Sequence, residues 1–267
     1  PLMTIALFEA LNEVKDTLPG PLKITAWPGG ECNRLFQIQS PSQQVALRLN
    51  HSEVPSLGVD RRREINILLN LSNEPWSPKL IAACPRWQLC HWAPGEAAPS
   101  GEAADLESLT LALQQVHHHR PQGEPLNVAL QVQHLLTHAK PLPAHIHTFL
   151  LDQCQAYSFV KQPVLCHHDW HPGNLRVSGP EWTLLDWEFA AAGDPAMDLA
   201  GVCLGFDLSE PQATVLADNL GISEPRLREA QCLMSALAMV WYRANPRLAG
   251  AASTSAEQWY EDWSQIS

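Results

Sequence analysis

Lysine is scarce in this sequence, and basic residues as a group are outnumbered by acidic ones. Only five of the 17 basic residues are Lys, against 28 acidic residues, and the formal net charge is −11 at pH 7. Such a chain repels phosphate backbones, and its one compact basic cluster, Arg61–Arg63, is too short to reverse that repulsion. We therefore expect no nucleic-acid partner.

Paired cysteines and long apolar runs are also missing. The seven cysteines are scattered, and no two of them form a C-x-x-C pair, so their spacing favours neither a disulfide framework nor a cysteine-type zinc site. The most apolar stretch, residues 232–242, is too short to cross a bilayer, and no signal-like segment opens the sequence. We expect a cytoplasmic protein without a membrane partner.

The pattern of apolar residues changes near residues 93–99, a stretch rich in Pro and Gly. Before it, short β-like runs separated by turn residues predict an antiparallel sheet, with helical segments at 4–17 and 59–71. After it, Leu and Val recur at three- and four-residue steps, which predicts helices. The 267 residues suffice for two lobes. The sequence therefore predicts an α+β fold with a boundary between residues 93 and 94.

The densest chemical signal lies between residues 164 and 198. It consists of V-L-C-H-H-D-W-H-P-G-N, then W-T-L-L-D-W-E, then G-D-P-A-M-D. Asp169, Asn174 and Asp186 follow short apolar strands, where carboxylate and amide oxygens are suited to hold Mg²⁺ and to address a hydroxyl proton. Asp194 and Pro195 suit the N-cap and first position of a following helix.

This order of motifs resembles the aminoglycoside phosphotransferase and choline kinase superfamily, whose members share the two-lobed architecture of protein kinases. The resemblance implies that Asp169 is the catalytic base and that Asn174 and Asp186 bind Mg²⁺. His167 and Asp198 would support the loop. Residues 120–160 carry no motif that can be transferred.

Other interpretations of the same residues stay open. The cluster of His167, His168, Asp169 and His171 also has ligand types and spacing that suit a zinc hydrolase, or it is a polar turn. A non-catalytic pseudokinase that binds nucleotide is a further alternative, although Asp169, Asn174 and Asp186 are all present.

The N-terminal third supplies candidates for nucleotide binding. Gly29 and Gly30 allow a backbone to approach phosphate closely, and G-x-x-x-x-G-K-[ST] is absent. The order G-G-x-x-N-R-x-F, which includes Asn33, resembles the phosphate loop of choline- and thiamine-kinase-like proteins. By the same resemblance, Arg48 stands where protein kinases carry Lys, and Glu64 is the helix acid that pairs with it.

Residues 87–96 resemble the hinge of bacterial thiamine kinases, which continues through Pro-Gly-Glu. In that hinge, the backbone near Cys90 and the Trp92 ring would meet the adenine. His117–His119 are interpreted as a polar helix end.

The sequence is less informative about the acceptor. Ten Trp residues in an acidic chain suit a cationic alcohol, and the hinge resemblance makes thiamine the first candidate. Choline or ethanolamine comes second, and an aminoglycoside is also compatible. The candidate acceptor-pocket residues are Trp187, Glu188 and Trp241.

Taken together, the resemblance implies a protein-kinase-like two-lobed fold. Residues 1–93 would form a small N-terminal nucleotide-binding lobe, an antiparallel sheet with one helix. Residues 94–267 would form a larger, mainly helical lobe for catalysis and acceptor binding. The expected reaction moves the γ-phosphoryl group of ATP to the hydroxyl of a small molecule, with Mg²⁺ as cofactor.

Overall fold

A computed structural model describes residues 2–27, 33–50, 58–121, 123–246 and 254–265. Its elements in chain order are α1 (Leu2–Val14), β1 (Lys23–Trp27), β2 (Asn33–Gln39), β3 (Gln44–Asn50), α2 (Arg61–Asn70), β4 (Leu80–Cys84), β5 (Trp87–His91), β6 (Glu96–Ala97), a 3₁₀ turn (Gly101–Ala103), α3 (Leu106–His117), α4 (Val128–Leu136), α5 (Ala144–Ala156), β7 (Val164–Cys166), β8 (Leu175–Ser178), β9 (Glu181–Leu184), β10 (Ala191–Gly193), α6 (Pro195–Gly205), α7 (Glu210–Leu220), α8 (Glu224–Ala244) and α9 (Ala256–Ser264).

The chain divides into two compact units. Unit 1 comprises residues 1–97 and 175–188, and unit 2 comprises residues 98–174 and 189–267. The hairpin of β8 and β9 belongs to unit 1 because β6 pairs with β8, a contact between distant residues that no local sequence pattern reveals. The functional lobes expected on either side of residue 93 stay a prediction.

Unit 1 is built on an antiparallel sheet whose described strands run in the order β1-β2-β3-β5-β4. Successive side chains alternate between the two faces of a strand. One face of β2, β3 and β5 is apolar and packs with α1 to form a buried core that includes Ile38, Leu47 and Leu89. The opposite face carries Arg48 and Gln88, which are partners in the register of β3 and β5.

Unit 2 is mainly helical, with a short antiparallel ladder between β7 and β10. Helix α6 packs against α8, and the buried residues of these helices include Leu199, Val202 and Leu233. Asp194 caps α6 by accepting a hydrogen bond of 2.9 Å from the N–H of Ala196, and Pro195 occupies the first turn, as the sequence predicts.

The predicted α+β fold is confirmed. The N-terminal part contains an antiparallel sheet with helices, and the C-terminal part is mainly helical. Within the described residues, no helix combines the length and apolarity that a bilayer crossing requires.

Candidate active site

Arg48 is the centre of a charged cluster in unit 1. From β3 it contacts Glu64 on α2 at 2.6 Å and Asp186, which follows β9, at 2.5 Å. It also donates to Asn50 at 3.0 Å and to Gln88 at 3.1 Å. The pair of Arg48 and Glu64 that the sequence analysis expected is therefore present, and Asp186 joins it.

The environment keeps Arg48 charged. Burial alone would lower its pKa, but the carboxylates of Glu64 and Asp186 more than offset that effect, so the pKa of Arg48 is raised. Its contacts use four of the five N–H groups of a guanidinium. With respect to the described residues, the fifth N–H group, on Nη1, therefore remains available to a phosphate oxygen.

Asp186 has an unusual backbone conformation. Its φ angle is 57°, in the left-handed region, where Asp and Asn are found more often than other non-glycine residues. Its side chain is 31% exposed, although one oxygen contacts Arg48. A partly exposed carboxylate held in this way matches the oxygen chemistry that Mg²⁺ prefers.

The two residues after Asp186 lie in the interior of unit 1. Trp187 is fully buried, stacks near Trp76 with ring centroids 5.9 Å apart, and donates its indole N–H to the carbonyl of Leu184. Glu188 is also buried and accepts hydrogen bonds from Asn33 at 2.8 Å and from Arg61 at 2.7 Å. These contacts hold both side chains in the interior of unit 1. A role of Trp187 or Glu188 in the acceptor pocket stays a prediction.

Arg61 is a member of this cluster that the sequence analysis did not single out. It was noted only as part of the basic cluster Arg61–Arg63. Its position three residues before Glu64 on α2 is the signal that would have placed both side chains on one helix face.

Of the two hinge candidates, Cys90 lies on the same face of the sheet as Arg48, and Trp92 directly follows β5. Cys90 is paired with Ala46 in the strand register, and burial raises the pKa of its thiol. Trp92 contacts Trp27, at the end of β1, edge to face with ring centroids 4.9 Å apart. Trp27 is 41% exposed, and the sequence analysis did not identify it. Gly29 and Gly30 lie outside the described residues.

Unit 2 contains the loop with Asp169 and Asn174 (residues 167–174), which we call the catalytic loop after the role that the sequence resemblance implies for Asp169. The side-chain amide nitrogen of Asn174 donates to the backbone carbonyl and to the carboxylate of Asp169, each at 2.9 Å. These bonds orient Asp169, whose side chain is 36% exposed. They use the nitrogen of Asn174 and not its amide oxygen, the atom with which an asparagine binds Mg²⁺.

The carboxylate of Asp198, on α6, binds the backbone at the start of this loop. Its carboxylate accepts hydrogen bonds from the backbone N–H groups of His167 at 3.0 Å and His168 at 2.8 Å. Its third partner is His117, whose Nε2 lies 3.0 Å away. Burial alone would raise the pKa of Asp198, but the interactions with His117 and His168 lower it well below the usual value.

The role expected for His117 needs correction. From the sequence it is expected to be part of a polar helix end, and α3 does end there, but its ring is directed to a buried carboxylate. The contact joins residues 81 positions apart, so it depends on tertiary packing and not on a local pattern.

The zinc-hydrolase alternative depends on the loop histidines. In the described part of the chain, the group of three potential metal ligands whose atoms come together is His117, Cys166 and Asp198, and not the set at 167–171. The Nδ1 atoms of His167 and His171 instead accept backbone hydrogen bonds from Asp169 and Gly173. The geometry therefore favours an ordered turn over a zinc site in the loop.

The last acceptor candidate, Trp241, lies on α8 and is partly buried. Its ring contacts Tyr242 edge to face, with centroids 5.1 Å apart. A contribution to acceptor binding stays a prediction.

The sheet with its Arg48–Glu64 pair, and the H-x-D loop of the helical unit, together define a protein-kinase-like phosphotransferase. The chain belongs to the phosphotransferase enzyme family, whose model matches residues 23–230. The predicted superfamily and the prediction of an enzyme that transfers phosphoryl groups are thereby confirmed. A search of curated proteins gives no match.

Several solved structures share the fold. Choline kinase LicA from Streptococcus pneumoniae aligns with a TM-score of 0.75 at 14% identity, covering 99% of this chain and 98% of that one. A choline/ethanolamine kinase family protein from Mesorhizobium loti gives 0.67 at 17% identity, with 96% and 92% covered. The ADP-bound aminoglycoside phosphotransferase APH(2'')-Ib gives 0.60 at 14% identity, with 98% and 95% covered. The predicted protein-kinase-like fold is confirmed.

Proposed function

We propose that this protein is a small-molecule kinase that transfers the γ-phosphoryl group of ATP to an alcohol hydroxyl. The observation that carries the proposal is the geometry of the catalytic loop. Asp169 is accessible, yet two hydrogen bonds from Asn174 orient it. The loop start is held by the buried carboxylate of Asp198, so the reactive group sits on an ordered support, as positioning catalysis requires.

Asp169 is the proposed catalytic residue. Its carboxylate would accept a hydrogen bond from the acceptor hydroxyl, orient the oxygen for attack on the γ-phosphorus and receive the proton. The incoming oxygen forms the new P–O bond while the bond to the β-phosphate oxygen breaks, which leaves ADP.

The proposed nucleotide and metal ligands are those that the sequence resemblance implies. Arg48, held by Glu64, offers its remaining donor to a phosphate oxygen, and Asn174 and Asp186 offer oxygens to Mg²⁺. The ion, when bound, neutralises phosphate charge. One similar structure, the aminoglycoside phosphotransferase, is bound to ADP, which supports a nucleotide as the donor. By the resemblance of residues 87–96 to a kinase hinge, the Trp92 ring and the backbone near Cys90 are assigned to the adenine.

The acceptor is proposed to be a cationic alcohol. Two of the similar structures are described as choline or choline/ethanolamine kinases, which favours choline or ethanolamine. Thiamine is a further candidate, because residues 87–96 resemble the hinge of bacterial thiamine kinases. A cytoplasmic location and the absence of nucleic-acid and membrane partners stay predictions.

An acceptor panel with a matched pair of variants tests the function. ADP release is measured with Mg²⁺ and ATP for thiamine, choline, ethanolamine and kanamycin. Asp169→Asn should lower kcat by about 10²- to 10⁴-fold, the usual contribution of a positioned proton acceptor. Asp218→Asn removes an equal charge from an exposed position on α7 and should leave kcat unchanged.

The outcomes separate the alternatives. Turnover of one acceptor that the Asp169 variant loses supports the kinase and identifies its substrate. Binding of ATP with no turnover of any acceptor would favour the pseudokinase. Equal activity of the two variants would contradict the role of Asp169.

A further inference from the structure

Five charged side chains of unit 1 form a continuous chain of alternating sign, which we call the charge chain: Asp186, Arg48, Glu64, Arg61 and Glu188. Arg48 links Asp186 to Glu64, and Arg61 links Glu64 at 3.3 Å to Glu188 at 2.7 Å. The two arginines share one oxygen of Glu64, Oε2. Both ends of the segment 186–188 are therefore attached to α2, Asp186 through Arg48 and Glu64, and Glu188 through Arg61.

Arg61 also reaches the strand that follows the glycine pair. Its Nη2 donates to the side-chain oxygen of Asn33 at 3.0 Å, and the amide nitrogen of Asn33 donates to Glu188 at 2.8 Å. Arg61, Asn33 and Glu188 thus form a closed triangle of hydrogen bonds. A planar fork of five donors can serve three acceptors in this way, whereas a lysine ammonium is a single point charge.

The charged side chains in these contacts are buried, so the loss of a partner would be costly. The side chains of Glu64 and Glu188 are 1% and 4% exposed, and that of Arg61 is 15% exposed. A buried carboxylate without a cationic partner is strongly unfavourable. Loss of Arg61 would leave Glu188 with only the neutral amide of Asn33 among the partners described above, so the segment from Asp186 to Glu188 would lose its cationic anchor.

We propose that Arg61 is a positioning residue for nucleotide and metal binding. It fixes Glu188 and Asn33 directly, and through the shared oxygen of Glu64 it fixes Arg48 and hence Asp186. In this assignment Glu188 anchors the metal-binding segment and does not contact the acceptor. The inference rests on the proposed function, since it assumes that Asp186 and Arg48 serve Mg²⁺ and ATP.

The test compares Arg61→Met, Glu188→Gln and the double variant, with Arg62→Met as the control from the exposed side of the same helix turn. Steady-state kinetics give KM for ATP, the Mg²⁺ concentration for half-maximal rate, and KM for the acceptor. Calorimetry measures ATP binding with and without Mg²⁺ and without any acceptor.

Arg61→Met should weaken Mg²⁺-dependent ATP binding by about tenfold or more, the effect of losing a hydrogen bond to a charged group. In Arg61→Met, KM for the acceptor should stay within about twofold of the value for the unmodified protein. The control Arg62→Met should have the same ATP binding, Mg²⁺ dependence and KM values as the unmodified protein. The double variant should recover part of the loss, because Gln at position 188 no longer buries an unpaired charge.

Three results would overturn the inference. One is a Glu188→Gln variant in which KM for the acceptor rises while binding of ATP and Mg²⁺ is unchanged, because Glu188 would then be an acceptor-binding residue. The second is a fall in folded fraction in Arg61→Met that accounts for the whole loss while the remaining protein binds Mg²⁺ and ATP normally. The third is a double variant no better than Arg61→Met alone. Absence of turnover in the unmodified protein would count against the proposed function, while the calorimetry would still decide the role of Arg61.

Discussion

At the scale of single residues, Gly193 in β10 leaves room for the ring of His168 in the catalytic loop. A Cβ atom at Gly193 would lie 2.5 Å from Nε2 of His168 and 3.0 Å from the sulfur of Cys166. His168 itself has a φ of 64° and is held through its N–H by Asp198. We therefore predict that Gly193→Ala displaces the His168 ring, costs about 1–3 kcal/mol of stability as overpacking does, and lowers kcat. Urea unfolding and the ADP-release assay measure both effects.

The partner variant His168→Gly distinguishes this clash from a general defect. Glycine adopts positive φ readily, and removal of the ring removes the two shortest contacts of the new methyl group, which leaves the Cys166 sulfur at 3.0 Å as the next shortest. His168→Gly/Gly193→Ala should therefore be more active than Gly193→Ala alone. Gly201→Ala is the control, because its Cβ would contact Met234 at an ordinary 3.6 Å and alanine favours a helix. A double variant as impaired as Gly193→Ala would contradict the steric explanation.

At the scale of elements, Asp198 joins the end of α3, the loop after β7 and the first turn of α6. Its carboxylate accepts from two backbone N–H groups and contacts His117. The lowered pKa of Asp198 means that its ionised form stabilises the fold above the unfolded-state value of about 4, and that this contribution is lost as the pH falls below it. Asp198→Asn, which places donors against donors, should be less stable at pH 7 by about 3 kcal/mol or more.

The pH dependence gives the sharper test of this interaction. The difference in urea midpoint between the unmodified protein and Asp198→Asn should narrow as the pH falls from about 5 to about 3. In that range Asp198 takes up a proton in the unfolded chain while it stays ionised in the folded protein, so unfolding becomes easier, and the Asn variant has no such carboxyl group. Asp218→Asn, in an exposed position on α7, should follow the unmodified protein throughout. A difference that stays constant with pH would show that the charge of Asp198 is not what stabilises the loop.

The same elements show how far the sequence could predict the structure. Asp169, Asn174 and Asp186 could be selected as candidates because each stands close to a short apolar strand within a contiguous motif. The strands and helices of the N-terminal third followed from turn residues and periodicity. The partners of Glu188 and Asp198 could not be predicted, because Asn33 is 155 residues from Glu188 and His117 is 81 from Asp198. Such contacts depend on which elements pack together, and periodicity within one element does not encode that.

At the scale of the whole molecule, the net charge of −11 bears on the choice of acceptor. A negative protein attracts cations over a distance set by the Debye length, about 30 Å at 0.01 M salt and about 10 Å at 0.1 M. Attraction of this kind raises the encounter rate and is weakened by salt. If the acceptor is a cationic alcohol, its kcat/KM should fall several-fold as the ionic strength is raised.

The measurement compares choline with its neutral isostere, 3,3-dimethylbutan-1-ol, at saturating ATP and Mg²⁺, so that the salt dependence of nucleotide binding does not enter. The two molecules have nearly the same shape and differ in charge. Choline should have the higher kcat/KM and the steeper salt dependence, because both long-range attraction and contact with aromatic faces act on its cation. Equal turnover of the two alcohols with the same response to salt would refute a cationic preference, and the acidity of the chain would then have no part in choosing its substrate.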